Sequence, residues 1–222
     1  MKVVISLGGI FFVDAAHIKA VAAVLEELAN SHTIYVVTGG GQPAREYIAI
    51  ARELGANEAV CDYIGIMATR LNAKLLISAL HNAYPEPLAD YKEVAEVTAK
   101  GVIAVLGGVS PGYTTDAVAA ILAEYVNAEL LLSVTSVDGV YDADPNVYPN
   151  AKKYERLTPK ELLSIVMKEE LKAGSRIVID PIAAKIIERS GTKTIVIDGS
   201  NPRNISDAVI GKHSGTEINS TQ

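Results

Sequence analysis

Four short apolar runs, each followed closely by glycine, constrain the fold of this 222-residue chain more than any other feature of its sequence. Runs of this length with little polar alternation are typical of strands buried on both faces of a parallel sheet. The runs are 3–6 before Gly8-Gly9, 33–38 before Gly39-Gly40-Gly41, 102–106 before Gly107-Gly108, and 130–134 before Asp138-Gly139. Stretches of helical periodicity separate them. The sequence therefore predicts an α/β protein with a mostly parallel sheet and helices on both faces.

The composition limits the function classes that fit the chain. Of its residues 49% are hydrophobic, which supplies a sizeable core. The net charge of −6 argues against nonspecific binding of nucleic acid, although a local pocket can still attract an anion. Cys61 is the only cysteine, which excludes an internal disulfide, and no apolar run reaches the length of a membrane span. We therefore expect a cytoplasmic protein with neither nucleic acid nor membrane as a partner.

The loop after the second predicted strand is the one that most favours ligand binding. Gly39-Gly40-Gly41 leads into a predicted helix with Pro43 at its first position and Arg45 in its first turn. Free backbone N–H groups, the positive end of a helix dipole and a bidentate guanidinium then converge. Three successive glycines favour an anion site over a simple turn, whereas a tight turn explains Gly8-Gly9 when it is taken alone. The chain lacks both standard glycine motifs for nucleotides, so any nucleotide binds by another route.

Two sets of polar residues allow both a structural and a functional interpretation. A helix predicted over 62–82 begins with Asp62, which suits either its N-cap or hydrogen bonds to a pair of ligand hydroxyls. Thr114-Thr115-Asp116 precedes a helix predicted over 117–126 and suits either its cap or a ligand at the same sheet edge. Residues 83–100 contain two prolines and several charges, and we interpret them as a peripheral excursion.

The stretch from Thr135 to Pro145 leaves the fourth predicted strand through a glycine, acidic residues and a proline. It fits two ordinary turns and a ligand loop equally well, although open α/β sheets bind ligands in loops after parallel strands. Further along, Lys185 lies early in a predicted helix that follows Asp180-Pro181, against the preference of the helix dipole for acidic residues there. A functional lysine and a solvated surface lysine both explain that position.

Glycine at several neighbouring strand ends suits ligands that carry several phosphates. Phosphoryl transfer between such ligands needs in-line placement and neutralisation of the moving charge, more than covalent help from the protein. Backbone N–H groups, Mg2+ and a cationic side chain would supply both needs. The residue pattern therefore favours phosphoryl transfer as the reaction class.

With these residues in this order, the chain resembles the amino acid kinase family, and within it the branch of archaeal-type uridylate (UMP) kinases. The residues that carry the resemblance are Gly39-Gly40-Gly41, Arg45, Asp62, Gly107-Gly108, Thr114-Thr115-Asp116, Thr135 with Val137 to Tyr141, Asp144-Pro145 and Asp180 to Ile187. The resemblance implies a three-layer αβα sandwich that transfers the γ-phosphate of ATP to UMP with Mg2+, in pyrimidine nucleotide biosynthesis. It also implies an N-terminal lobe of about 1–128 that binds UMP and dimerises, a C-terminal lobe of about 129–222 that binds ATP, and a hexamer.

The resemblance also assigns roles to individual residues. The UMP site would comprise Gly40, Gly41, Arg45, Asp62, Gly108, Thr114 and Thr115. The ATP site would comprise Gly8, Gly9, Thr135, Ser136, Asp138, Gly139, Tyr141, Asp144 and Pro145. Asp116 and Asp180 would act in the transfer itself, and no metal ligand is assigned.

One departure from the family pattern concerns positive charge. Family members commonly carry lysine in the first strand and loop, where this chain has Ser6-Leu7-Gly8-Gly9, and Ser136 stands where lysine occurs in related chains. Our hypothesis is that Lys185 supplies the missing catalytic cation. Three functions stay open: a UMP kinase, a kinase of the same fold for acetylglutamate, carbamate or isopentenyl phosphate, and a nucleotide-binding relative without catalysis. Asp62 favours the first, because a small carboxylate acceptor has no ribose.

Overall fold

The computed structural model describes residues 1–98, 101–143, 145, 147–170 and 178–220, in which strands and helices alternate along the chain. The strands are β1 (Lys2–Leu7), β2 (Thr33–Thr38), β3 (Ala104–Leu106), β4 (Leu130–Thr135), β5 (Arg156–Leu157), β6 (Thr194–Asp198) and β7 (Thr216–Ile218). The helices are α1 (Ala15–Ala29), α2 (Gly41–Glu53), α3 (Glu58–Ile77), α4 (Tyr91–Thr98), α5 (Thr115–Tyr125), α6 (Pro159–Glu170), α7 (Pro181–Ser190) and α8 (Arg203–Val209). None of the helices in this part of the chain combines the length and hydrophobicity that a membrane span requires.

The seven strands form one sheet in the order β3-β2-β1-β4-β6-β7-β5. Every neighbouring pair runs parallel except β6 with β7. In the register of β1 with its two neighbours, Leu7 is opposite Thr38 of β2 and Val134 of β4. The predicted three-layer α/β architecture with a mostly parallel sheet is confirmed. Because parallel strands end at one edge, the loops after β1, β2, β3 and β4 lie together.

Alternating side chains divide the core between the two faces of the sheet. On β1, Val3, Ile5 and Leu7 pack with α1, α8 and the C-terminal part of α3. Val4 points the other way, into a cluster formed with α4, α5, α6 and α7. The period of two along a strand therefore places the buried Ser6 on the α5 side of the sheet.

Side chains cap the N-termini of α1 and α6. The Asp14 carboxylate accepts the backbone N–H of His17 at 2.8 Å and caps α1. Before α6, Thr158 Oγ1 accepts the N–H of Glu161 at 3.2 Å, and Glu161 Oε2 accepts the N–H of Thr158 at 2.7 Å. That reciprocal pair is a capping box with proline at the first helical position.

The structure corrects two predicted helix boundaries. Asp62 is not an N-cap, because α3 begins at Glu58, is capped by Asn57, and ends at Ile77 rather than near 82. The Asn57 side chain accepts the N–H of Val60 at 3.0 Å, so a suitable cap was available one turn earlier than predicted. Pro43 is the third residue of α2 rather than the first, because the helix begins at Gly41.

The structure also contains elements that the sequence did not predict. Helix α4 lies within the supposed excursion over 83–100, where Asp90 Oδ1 accepts the N–H groups of Lys92 and Glu93 at 2.8 and 3.1 Å. Strand β5 has only 2 residues, which is too short to show any periodicity. The strand predicted over 102–106 is also shorter in the structure. It begins at Ala104, because Ile103 forms only an isolated bridge.

Candidate functional site

The glycine loops after β1 and β2 contact each other through their backbones. A Cβ atom on Gly9 would lie 1.9 Å from the nitrogen of Gly41, and one on Gly39 would lie 2.6 Å from the nitrogen of Gly9. Gly41 also has a φ of 66°, which side chains other than glycine rarely adopt. Close packing therefore requires these glycines whether or not a ligand binds, which the sequence interpretation did not foresee.

A cleft of about 400 Å3 opens beside these loops, between the N-termini of α2 and α5 and one side of α3. Six of the seven residues predicted for UMP line it: Gly40, Gly41, Asp62, Gly108, Thr114 and Thr115. The seventh, Arg45, lies on the exposed face of α2. Ala44, Ile48 and Ile66 add an apolar wall. The cleft therefore combines two positive helix ends with hydroxyl groups and a carboxylate.

Asp62 connects α3 to the loop that precedes α5. Its Oδ2 atom accepts the backbone N–H of Gly112 at 2.8 Å. Within the described residues, Oδ1 has no hydrogen-bond partner, so one carboxylate oxygen can accept a hydrogen bond from a ligand hydroxyl. The structural contact and the predicted ligand contact are therefore compatible.

The caps of α5 and α7 contact each other. Thr114 Oγ1 accepts the N–H of Ala117 at 3.1 Å, and the Thr114 hydroxyl donates to Asp180 Oδ2. Asp180 Oδ1 accepts the N–H groups of Ile182 and Ala183 at 2.9 and 3.1 Å. One carboxylate therefore links the positive ends of two helices, α5 and α7.

Asp116 lies beside this pair, in the first turn of α5. Ser6 Oγ donates to Asp116 Oδ1 at 2.7 Å, so the serine found where the family commonly has lysine contacts the predicted catalytic carboxylate. Burial, together with the charge of Asp180, raises the pKa of Asp116 to about 6 against the opposing effect of the Ser6 hydrogen bond. No lysine, arginine or histidine of the described residues forms an ion pair with either carboxylate.

The predicted ATP loop is held by a neighbouring extended segment. Tyr141 forms an antiparallel bridge with Lys153, and the N–H of Asp142 donates to the carbonyl of Lys152 at 3.1 Å. The Tyr141 hydroxyl donates to Asp138 Oδ1 at 2.6 Å, which raises the pKa of Tyr141 to about 12. Burial opposes ionisation of Asp138, but hydrogen bonds from Lys153 and Tyr141 outweigh it and lower the pKa of Asp138.

The remaining residues predicted for ATP follow the same edge of the sheet. Gly8, Gly9, Thr135, Ser136, Gly139 and Pro145 lie at the ends of β1 and β4 or in the loop after β4. The carbonyl of Thr135 accepts the N–H of Gly199 at 2.9 Å, which connects the start of this loop to the end of β6. Ser136 is exposed. Asp144 lies outside the described residues.

Comparison with known proteins identifies the family, since a model of the amino acid kinase family matches residues 1–198. The chain belongs to the amino acid kinase family. A uridylate kinase from Methanococcoides burtonii is 55% identical over 95% of this chain and 92% of its own length. One from Archaeoglobus fulgidus is 51% identical over 98% of this chain and 100% of its own length.

Solved structures agree with this assignment. The crystal structure of the Archaeoglobus fulgidus uridylate kinase matches with a TM-score of 0.91 at 50% identity, over 98% of this chain and 100% of that chain. The UMP kinase from Ureaplasma parvum matches with a TM-score of 0.82 at 26% identity, over 99% and 98% of the two chains. The resemblance drawn from the glycine motifs is therefore confirmed, while the roles of single residues stay predictions.

Two residues that contact predicted site residues, Ser6 and Lys153, were not predicted from the sequence. Ser6 was noted only for the lysine it replaces, although strand alternation could have placed it beneath α5 beside Asp116. Lys153 Nζ contacts Asp138 Oδ2 at 2.7 Å from 15 residues away. No local pattern links those two positions, because the contact arises only when the two segments pair.

The cation proposed for catalysis, Lys185, is engaged on its own helix. Its Nζ atom lies 2.6 Å from Glu188 Oε2, and its side chain is 68% exposed. Such an exposed ion pair contributes little to stability, so Lys185 could leave Glu188 and reach a ligand at a small cost in free energy. Among the described contacts, none joins Lys185 to Asp116 or Asp180.

Asp116→Asn is expected to stabilise the ligand-free protein at neutral pH. The folded-state pKa of about 6 lies above the value near 4 of an unfolded chain, so the carboxyl destabilises the wild type as the pH rises from about 4 to about 6. Below that window both states are protonated and the difference vanishes. Above it, the variant should be more stable by roughly 1–3 kcal/mol, measured by urea denaturation across the pH range.

Asp207→Asn, an exposed aspartate of α8, is the matched control. It should change the free energy of unfolding by less than about 0.5 kcal/mol at every pH. A stability difference between wild type and Asp116→Asn that stays constant across the pH range would show that the pKa of Asp116 is not raised.

Proposed function

We propose that this protein is a UMP kinase, which transfers the γ-phosphate of ATP to UMP and releases UDP and ADP. The observation that carries the proposal is the cleft that joins the Gly40-Gly41 loop, Asp62 and the Thr114-Thr115 pair beside Asp116. Relatives named uridylate kinase, 48–55% identical over nearly the whole chain, support the same reaction.

In this proposal the cleft binds UMP by complementary charge and hydrogen bonding. The phosphate is held by backbone N–H groups at the start of α2 and by Arg45, because helix N-termini and guanidinium groups both favour anions. Asp62 Oδ1 accepts from a ribose hydroxyl, while its Oδ2 keeps the loop of Gly112 in place. The ribose contact distinguishes a nucleotide from a small acid acceptor.

The transfer step takes place between the N-termini of α5 and α7. These two positive helix ends, held together through Thr114 and Asp180, favour the charge on the moving phosphoryl group. Asp116 orients the cationic groups around it. The loop that begins at Thr135 places ATP in line with the acceptor.

Mg2+ fits this site as a companion of ATP. The described residues contain no cluster of three or more His, Cys, Asp or Glu side chains that could hold a metal ion alone. Mg2+ at nucleotide sites commonly uses one or two carboxylates together with substrate phosphates, and Asp116 and Asp180 supply carboxylates without a described ion pair. Bound there, the ion would neutralise phosphate charge.

An acceptor panel tests the proposed function directly. ADP release is measured with ATP and Mg2+ and with UMP, CMP, acetylglutamate, carbamate or isopentenyl phosphate as acceptor. Turnover with UMP should exceed turnover with each non-nucleotide acceptor by at least about 1,000-fold, because unpaired polar groups reject ligands that lack the ribose. ATP binding without turnover on any acceptor would instead favour a nucleotide-binding relative that has lost catalysis.

Asp62→Asn sharpens that test. Loss of a hydrogen bond to a charged carboxylate should raise KM for UMP about 10- to 100-fold, with KM for ATP nearly unchanged. Asp207→Asn serves again as the control and should leave both values unchanged. A selective rise in KM for ATP would contradict the assignment of the cleft to UMP.

Lys185 stays our proposal for the missing cation. If it leaves Glu188 to contact the transferring phosphoryl group, Lys185→Ala should lower kcat by about 100-fold or more. Lys168→Ala, an exposed lysine of α6, is the control and should leave kcat unchanged. Unchanged turnover in Lys185→Ala would remove this residue from the mechanism.

We also propose that copies of the chain associate through the outer face of α2 and α3, as the first step towards a hexamer. Exposed apolar side chains recur on this outer face at helical spacing: Tyr47 and Ile50 on α2, Leu54 directly after it, and Val60, Tyr63, Met67, Leu71 and Leu75 on α3. Met67 and Leu71 are 69% and 62% exposed. Exposed large apolar side chains grouped on neighbouring helices are typical of a protein interface, and a second copy presents the same face.

Met67→Glu combined with Leu71→Glu should therefore reduce the oligomer to smaller species. Buried charges on both copies would oppose each other, whereas the folded chain itself would lose little. Light scattering coupled to size exclusion measures the mass. Ile210→Glu, which is 61% exposed at the end of α8, is the control and should leave the mass unchanged. A mass unaffected by the double variant would place the interface elsewhere.

A further inference from the structure

We propose that Lys153 is a positioning residue for the donor nucleotide, because it fixes the loop that carries Asp138 and Tyr141. The inference rests on the proposed function, which assigns this loop to ATP. Lys153 belongs to none of the motifs from which that function was inferred. Its role follows from three contacts: with the carboxylate of the loop, with the backbone of the loop, and with the segment that leads into β7.

The ammonium group of Lys153 connects two separate parts of the chain. Nζ donates to Asp138 Oδ2 at 2.7 Å and to the carbonyl oxygen of Ser214 at 2.8 Å. The side chains of Lys153 and Asp138 are 24% and 46% exposed. The Arg52–Glu58 pair, by contrast, is 56% and 69% exposed. Shielding from water strengthens an ion pair, so the Lys153 contact restrains its partners more than a surface pair does.

The stem of Lys153 also packs against the loop backbone. A Cβ atom on Gly139 would lie 3.0 Å from Lys153 Cδ and 2.5 Å from Thr216 Oγ1. Thr216 Oγ1 accepts the N–H of Val140 at 2.8 Å and donates to the carbonyl of Tyr154 at 2.5 Å. The loop is therefore enclosed between the lysine stem and β7.

These contacts determine the orientation of Tyr141. Asp138 uses Oδ1 to accept the Tyr141 hydroxyl and Oδ2 to accept Lys153, so the carboxylate cannot rotate without breaking one of the two hydrogen bonds. Removing the ammonium group frees the carboxylate and, through it, the phenol ring. The predicted ATP contacts of Asp138, Gly139 and Tyr141 would then lose their fixed geometry.

The effect should be confined to the donor. Lys153 does not line the cleft proposed for UMP, and the groups it contacts, Asp138 and Ser214, do not line it either. Substitution of a residue with a purely structural role would instead weaken the binding of both substrates to a similar extent. The ratio of the change in ATP affinity to the change in UMP affinity therefore distinguishes a positioning role from a general effect on stability.

Calorimetric titration of the full chain supplies the test, with ATP and Mg2+ in one series and UMP alone in another. Lys153→Met keeps the apolar stem against Gly139 and removes the charge. We expect it to weaken ATP binding about tenfold or more and UMP binding less than about twofold. Lys153→Arg keeps the charge and should recover most of the ATP affinity. Lys152→Met, an exposed neighbour, should leave both affinities unchanged.

Steady-state kinetics add a second readout. Lys153→Met should raise KM for ATP by about the same factor, with kcat and KM for UMP changed less than about twofold. Unchanged ATP affinity overturns the proposal, and so does equal weakening of ATP and UMP. If Lys153→Met does not fold, the same comparison is made with Lys153→Gln. A wild type that binds ATP but never phosphorylates UMP contradicts the proposed function alone, and the ATP titrations still test Lys153.

Discussion

The parallel pairing of β1 with both β2 and β4 is the constraint on which the site depends. Because β1 is an interior strand covered on both faces, its alternate residues enter opposite cores, and Ser6 is thereby directed beneath α5. The register also brings the ends of β1 and β2 level, so that Gly9 meets Gly41 backbone to backbone. The cleft, Asp116 and the loop after β4 all lie at the edge of the sheet where these strands end.

Two opposing effects determine the charge of the carboxylates at the N-termini of α5 and α7. The N-termini of α5 and α7 favour negative charge, and both Asp116 and Asp180 lie there. Burial acts against ionisation, and for Asp116 burial is the stronger effect, since its pKa is raised. The ligand-free protein therefore holds a carboxyl group whose charge is poorly compensated. A cation arriving with the substrates would favour the ionised form.

The parts of the fold that could be predicted are those encoded locally. Continuous apolar runs identified β1, β2 and β4, and glycines marked the loops that follow them, because each pattern depends on a few consecutive residues. The start of α3 was placed too late because Asp62 and Asn57 are equally good caps by residue type. Only the structure shows that Asn57 is used and that Asp62 contacts Gly112.

In the candidate site too, residues that belong to local motifs could be predicted, whereas contacts between distant residues could not. Residues within motifs, such as Thr114 and Asp180, were predicted individually, but their mutual contact was not. Lys153 could not be predicted, because its partner Asp138 is 15 residues away and no periodicity connects them. The glycines were singled out as ligand-binding residues, yet close packing explains Gly9 and Gly41 without any phosphate. Sequence patterns identified the groups, whereas tertiary packing decided their partners.

The brevity of the outermost strands has a consequence for how copies of this chain meet. The two edges of the sheet are β3, with 3 residues, and β5, with 2. Strands this short leave few unpaired N–H and C=O groups, so a neighbouring molecule gains little by adding a strand to either edge. Extension of the sheet by pairing of edge strands between two molecules is thereby disfavoured. In the proposed oligomer, contact between copies would therefore use helix surfaces, where side chains rather than backbone decide which neighbour fits.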